Sequence, residues 1–263
     1  MRRVLLLALA LAMMAAPVKA PAQTADADAN KNAEQARAAL NQMVQALGGE
    51  LWLNIQNVET DGHIAAFFQG SPDLGTAQFF DYHQWPDHDR IEVSKHRDDV
   101  LFYIGQQGWE VTYRGKKALP KDQMDDFLRR RDHSIETAVK VWMKDPRTIL
   151  IYGGPHLVET HLGVQVSLIS AQNEGITIVM DADTHLPLSD EFQWRDPIYH
   201  DKDDEIEEYA DYHVINGFPT AFSITRIKNG EMVQQRYVDR VRYNQSLPAD
   251  FWDPDAAARR IKR

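Results

Sequence analysis

Two Asn-Gly pairs near the C-terminus constrain this chain more than any other feature. Ile206–Val214, Ala221–Ile227 and Val233–Tyr243 are rich in β-forming residues, and Asn216-Gly217 and Asn229-Gly230 separate them. Asn-Gly between two such runs predicts a type I′ hairpin, because both central residues of that turn need positive φ. Three strands joined this way are antiparallel neighbours. In the first of them Ala210, Tyr212 and Val214 mark a mostly apolar side, while Glu205, Glu207, Asp211 and His213 mark the other. One wet face is therefore expected there.

The pattern extends upstream. Val158–Leu162, Val164–Ala171, Gly175–Met180 and Phe192–Trp194 read as strands of a meander, with a turn at Asp183–Pro187 and an exposed acidic loop from Asp196 to Asp204. Earlier, His63–Phe68, Thr76–His83, Arg90–His96, Val100–Ile104 and Trp109–Tyr113 are short and rich in β-formers. Ser71-Pro72-Asp73, Trp85-Pro86-Asp87 and Gln107-Gly108 punctuate them. Val100, Phe102 and Ile104 point one way and Leu101 and Tyr103 the other, so that strand is covered on both faces. The first helix is expected as one cover, with a second layer or an aromatic-lined cavity as the other.

Two helical regions interrupt the strands. Ala33, Ala36, Leu40, Met43, Val44 and Leu47 fall on one helical face over 31–47, and Gly48-Gly49 supplies the stop. Met124, Phe127, Leu128, Ile135, Val139 and Trp142 recur at helical spacing from about 121 to 144, as one helix or two, until Asp145-Pro146 ends the run. The expected fold is one α+β domain over 31–263, built on a large curved antiparallel sheet with an N-terminal helix and inserted helices.

The N-terminus carries an address. Arg2 and Arg3 precede an apolar run from Val4 to Ala16, and Ala20-Pro21-Ala22 offers a small-x-small cleavage site. Residues 1–22 are thus expected to be a secretory signal peptide, with a flexible leader at 23–30. The apolar run is short of the ~20 residues of a spanning helix. There is no cysteine, which excludes disulfides, thiolate catalysis, Cys-ligated zinc and a lipidated cysteine after the signal. Removing the signal takes three of the 29 basic residues and none of the 39 acidic ones, so the formal charge moves from −10 to about −13. Nucleic acid is a poor partner for such a chain, since phosphate contacts need clustered Lys and Arg. The one basic run, Arg129-Arg130-Arg131, is flanked by Asp125, Asp126 and Asp132.

Catalytic signatures are missing. There is no His-Glu-x-x-His, no Gly-x-Ser-x-Gly, no phosphate-binding loop and no dinucleotide glycine pattern. His83, Asp87, His88 and Asp89 cluster around Trp85-Pro86 and offer nitrogen and oxygen ligands, although a polar turn between two strands is the better account of them. What stands out is aromatic content on the strands and on the middle helix: Phe67, Phe68, Phe79, Phe80, Phe102, Tyr103, Trp109 and Trp142. Each is accounted for as core; as a set they fit a sheet curved around a hydrophobic ligand under a helical cover.

Several local patterns carry a resemblance. They are Ala46-Leu47-Gly48-Gly49 followed by Trp52, the run Met180–Leu188, Tyr209–Gly217 with Pro219, and Val241-Arg242-Tyr243-Asn244 through Leu247-Pro248. Together with the order of elements, they resemble the LolA/LolB-like periplasmic lipoprotein carriers and outer-membrane lipoprotein-sorting proteins of Gram-negative bacteria. The resemblance implies an unclosed half-barrel, with the 121–144 segment as part of a lid over an apolar cavity. It implies a periplasmic, non-enzymatic carrier of lipid, of lipoprotein acyl chains or of another hydrophobic ligand, with no cofactor. Phe68, Phe80, Phe102, Trp109 and Trp142 are the cavity candidates, and Arg130 and Arg147 the lid-latch candidates, beside Arg129 and Arg131. Two alternatives stand alongside: a non-catalytic envelope scaffold that binds a protein partner, and a secreted metal-dependent hydrolase using the His83–His88 region.

Overall fold

The computed structural model describes residues 21–196 and 198–261. The expected signal peptide lies almost wholly outside them. Helix α1 (Pro21–Leu47) runs through the stretch expected as a leader, exposed from Ala27 to Asn30, and stops at Gly48 and Gly49 with φ of 125° and 60°. A short turn of helix, α2 (Glu50–Leu53), follows.

Among the described residues, thirteen strands then form one antiparallel sheet. The first six are β1 (Asn57–Phe68), β2 (Ser71–Gln84), β3 (His88–Val93), β4 (Asp99–Ile104), β5 (Gln107–Thr112) and β6 (Gly115–Ala118). The remaining seven are β7 (Ile149–Val158), β8 (His161–Ile169), β9 (Gly175–Asp181), β10 (Pro187–Arg195), β11 (Lys202–Ile215), β12 (Phe218–Lys228) and β13 (Glu231–Tyr243). The spatial order is β6-β5-β4-β3-β2-β1-β13-β12-β11-β10-β9-β8-β7. The first and last strands of the chain thus meet in the middle, Val58 opposite Tyr243. The sheet is an open half-barrel, with β6 and β7 at its two edges. The Asn-Gly turns form as expected: Asn216, Gly217, Asn229 and Gly230 all have positive φ.

Between the two edge strands the chain forms α3 (Lys121–Asp132), α4 (Ile135–Lys140) and a 3-10 turn (Trp142–Lys144). The helical run is therefore two helices. Ser134 divides them by accepting a hydrogen bond from the Thr137 amide at 3.2 Å, an N-cap that starts α4. A last helix, α5 (Pro254–Ile261), is absent from the sequence expectations.

The two faces of the sheet are covered differently. On the inner face, Ala36, Leu40, Met43 and Leu47 of α1 pack with Ile135, Ala138, Val139 and Trp142 against Leu168, Ile176, Ile178 and Met180. Helix α1 therefore covers β7–β9 and not β4. On β4 the inner residue Tyr103 stacks on Phe127 of α3, with ring centroids 3.6 Å apart. Its outer residues Val100 and Phe102 pack with Val111 under Ala257 of α5. Two-sided burial of β4 is borne out, with α3 and α5 as the covers.

The acidic side of β11 also differs from expectation. Glu205 is 2 % exposed on the inner face, whereas Val214 is 70 % exposed. Carboxylates turn inward there because cations meet them: Arg226 Nε lies 3.5 Å and Arg130 Nη1 3.8 Å from Glu205 Oε1. Asp211, with φ of 55°, interrupts the extended backbone between the two halves of the strand.

Candidate functional site

The centre of the half-barrel holds a cavity of about 340 Å³. Its floor is the seam where the chain's first and last strands join. Val58 and Thr60 come from β1, Val238, Val241 and Tyr243 from β13, and Ile224 from β12. Its roof comes from Leu47 at the end of α1, from Trp52 of α2 and from Ser134–Glu136 at the start of α4. Most of this lining is apolar. Among the exceptions, Asp81 and Arg236 are joined through Arg236 Nη2 and Asp81 Oδ2 at 2.8 Å. The size falls at the lower end of the ~300–1,000 Å³ range typical of ligand pockets.

The roof is tied to the sheet by polar contacts. Arg131, at the end of α3, donates to the Asp87 carbonyl at 3.2 Å and to the Gly105 carbonyl at 2.9 Å, and stands 3.8 Å from Asp89. Arg130 pairs with Asp126 on its own helix and reaches toward Glu205. Arg129 lies over the Trp194 ring, 4.4 Å from its centroid. On α4, Glu136 accepts from Lys140 Nζ at 2.5 Å, and its second oxygen lies 3.2 Å from His83 Nε2. The other nitrogen of His83 meets Asp89 at 2.7 Å. His83 is thus clamped between a carboxylate of the sheet and one of the lid.

Burial alone would lower the pKa of His83, but the hydrogen bonds and charges of Asp89 and Glu136 outweigh it and raise the pKa to about 10. Burial pushes Glu136 upward, and His83 and Lys140 overcome that and hold it below its ordinary value. Asp89 stays above its ordinary value because burial outweighs His83 there. Further along the inner face, burial and then the charge of Glu207 drive the Asp190 carboxyl well above its ordinary value. The Tyr209 hydroxyl bonds Asp190 at 2.8 Å.

The expected site residues scatter. Phe68 is 67 % exposed at the end of β1. Phe80 alternates to the outer face with Tyr82, and Arg97 covers its ring at 4.3 Å. Phe102 and Trp109 belong to the outer cluster under α5. Trp142 is on the inner face but packs within the α1 core. None of these five lines the central cavity. Of the latch candidates, Arg130 bridges lid and sheet, while Arg147 is exposed and pairs only with nearby Asp145. Arg131, named beside the latch candidates, makes the firmest contacts. We expect Arg131→Ala to speed amide exchange in α3 and α4 by about tenfold or more, since hydrogen bonds to charged groups contribute ~1.5–3 kcal/mol. Arg147→Ala should leave that exchange unchanged, and hydrogen–deuterium exchange mass spectrometry separates the two.

The cavity itself escaped sequence reading. Its floor requires knowing that β1 pairs with β13, and nothing local to either strand encodes that. Among the described residues there is no group of three or more His, Asp or Glu placed to hold a metal ion. His83 meets Asp89 at 2.7 Å, and His88 turns to Asp87 at 2.8 Å.

No protein-family model matches the sequence, and no curated protein matches it. Solved structures do. A DUF1329 family protein from Desulfovibrio piger superposes with a TM-score of 0.59 at 12 % identity, over 86 % of this chain and 99 % of that one. A putative outer membrane lipoprotein-sorting protein domain from Vibrio parahaemolyticus gives 0.53 at 9 %, over 88 % and 99 %. A LolA superfamily protein from Nitrosomonas europaea gives 0.51 at 10 %, over 82 % and 96 %. The chain has the LolA-like fold. In this LolA-like half-barrel α3 and α4 occupy the place of a lid, as the resemblance implied. None of the described helices is long and apolar enough to cross a membrane.

Proposed function

We propose that this protein is a periplasmic, non-enzymatic carrier for a lipid, a lipoprotein acyl chain or another hydrophobic ligand. It would be exported through a cleaved signal peptide and act in outer-membrane lipoprotein sorting or envelope maintenance in Gram-negative bacteria. The observation that carries the reading is the apolar cavity at the centre of the sheet, roofed by the latched α3–α4 segment. Apolar burial supplies the affinity: each methylene taken out of water contributes ~0.8 kcal/mol, without any reacting group. The signal-like N-terminus supports the compartment, and the names of two similar structures, a putative lipoprotein-sorting domain and a LolA superfamily protein, fit the cargo.

The test is native mass spectrometry and lipid extraction of protein purified gently from a Gram-negative periplasm. The wild type should carry a lipid-sized mass. Ile224→Asp places a carboxylate on the half-buried cavity wall, where it opposes apolar cargo. That variant should lose the mass while keeping the wild-type circular dichroism. A stoichiometric co-purifying protein with no lipid would move the reading to an envelope scaffold.

A further inference from the structure

We propose that the outer face of β9–β11 carries a second binding groove, outside the central cavity. It takes an extended basic segment of a partner polypeptide, whose lysine or arginine cation sits between Glu159 and Glu208.

The groove follows from the curl of the sheet. β7 and β11 are four places apart in the spatial order, which on a flat sheet would separate them by ~19 Å. Yet Val158 and Glu159, at the β7–β8 hairpin, share a hollow of about 340 Å³ with Glu208 and Ala210 of β11. The end of the hairpin therefore folds back over the sheet. It does so on the outer face, because Glu208 lies an odd number of residues from the inward-facing Glu205. Gly163 permits the approach, since a Cβ there would lie 2.5 Å from Val179 Cγ1 and 3.3 Å from Leu188 Cδ1. Val158, Leu186 and Leu188, all half-buried, supply apolar lining. A second hollow of about 200 Å³ shares Val158, Glu159 and Glu208 and adds Val179 and Ile206. From Ile206 to Ala210 the groove follows β11 for ~13 Å, the length of four extended residues. It shares only Tyr209 and Tyr212 with the central cavity.

Charge selects the occupant. Glu159, Asp181, Glu191, Glu208 and Asp211 line the two hollows, and no lysine or arginine does; His156 and His161 are the bases present. Asp181 is engaged by the Thr184 amide and hydroxyl, and Asp211 lies 3.1 Å from His213. Glu208 faces no such partner. Burial first, and then the like charge of Glu159, hold its carboxyl above its ordinary value. A cation placed between the two would reverse that repulsion. It would not be a bare metal ion, because no three of these groups converge on one point. Lysine and arginine side chains have the required build, an aliphatic stem that lies on apolar surface and a charged head beyond it. Alternate side chains of an extended segment stand ~6.6 Å apart, so a basic and an apolar residue two places apart suit adjoining hollows.

The test measures binding of the labelled peptide acetyl-Ala-Leu-Ala-Arg-Ala-Leu-Ala-amide by fluorescence anisotropy, beside a twin with citrulline in place of arginine. Citrulline keeps the shape and loses the charge. The arginine peptide should bind about tenfold more tightly, the scale of one charge-assisted hydrogen bond. Glu159→Gln/Glu208→Gln should bring that ratio to about one. Glu34→Gln/Glu50→Gln removes the same charge from exposed sites on α1 and α2 and should leave the ratio unchanged, which separates the groove from the general attraction of an acidic chain. Ile224→Asp, in the central cavity, should leave it unchanged as well, so the groove and the carrier reading stand or fall separately. Equal binding of the two peptides by the wild type overturns the proposal, and so does a ratio that survives Glu159→Gln/Glu208→Gln. Binding of n-butylguanidinium as tight as that of the arginine peptide overturns it in favour of a small cation. The wild-type ratio decides the question whether or not a variant folds.

Discussion

Gly62→Ala is expected to break the sheet at its centre. Gly62 sits on β1 opposite Val238 of β13 and Phe79 of β2. A Cβ there would lie 2.1 Å from the Tyr237 carbonyl oxygen and 2.9 Å from the Val238 Cα. Both are backbone atoms of a paired strand, so no side-chain rotation relieves the contact. The pairing already shifts between Asp61 and Gly62. Overpacking usually costs ~1–3 kcal/mol, and a collision with main chain belongs at the upper end or beyond. For a chain of this length that is a fall in Tm on the order of 10 °C. Gly175→Ala is the control, because its Cβ would meet only the Leu168 carbonyl oxygen at 3.8 Å. The two melts by circular dichroism give the answer. A wild-type melt for Gly62→Ala would mean that the seam has slack, and the cavity floor with it.

The same seam marks the boundary of what the sequence discloses. Elements set by local chemistry were legible. Asn-Gly placed the last hairpins, Gly48-Gly49 placed the end of α1, and the spacing from Met124 to Trp142 placed the lid. These signals act over a few residues, where φ preference and side-chain period are enough. The facing of the strands was not legible. Alternation sorts Phe102 from Tyr103 but does not say which side receives α3 and which receives α5. With that assignment open, Phe80, Phe102 and Trp109 were natural candidates for a ligand wall, and the structure sets them on the outer face. Glu205 and Glu207 misled for a related reason. Acidic residues at alternate positions read as a wet face, until Arg226 from the next strand and Arg130 from the lid are known to meet Glu205 and the Tyr209 hydroxyl to bond Glu207. Helix α5 left only a weak trace, since Ala256, Ala257 and Ala258 form helix readily but carry little apolar pattern. Pairing of the first and last strands has no local signal at all, and the cavity follows from it.

His83 should make the lid latch depend on pH. The imidazole stands between Asp89 on β3 and Glu136 on α4, with Arg131 near Asp89 and Lys140 on Glu136. Its pKa in the fold, about 10, lies above the ordinary 6.5. A group shifted upward contributes stability that is complete below its unfolded value and is lost as pH rises through the folded one. The charged clamp should therefore hold at neutral pH and weaken toward pH 10. Glu136 behaves oppositely. Its pKa lies below the ordinary 4.5, so its contribution is present above that value and is lost as the solution becomes acid. His83→Gln keeps a hydrogen-bond donor and removes the charge, leaving Asp89 and Glu136 without their common cation. Breaking one member of a buried ionic group costs ~3–5 kcal/mol, and less where, as here, the ring is partly solvated. The variant should melt well below the wild type at pH 7, with faster amide exchange in α4 than in β7–β9. As pH rises through 10 the gap between the two proteins should close, because the wild-type ring becomes neutral as well. Taking the difference between the proteins cancels the titration of tyrosines and lysines that they share. A gap of the same size at pH 7 and above pH 10 would mean that the wild-type ring is uncharged throughout, and the lid would then be held by Arg131 and the α1 core without an ionic clamp.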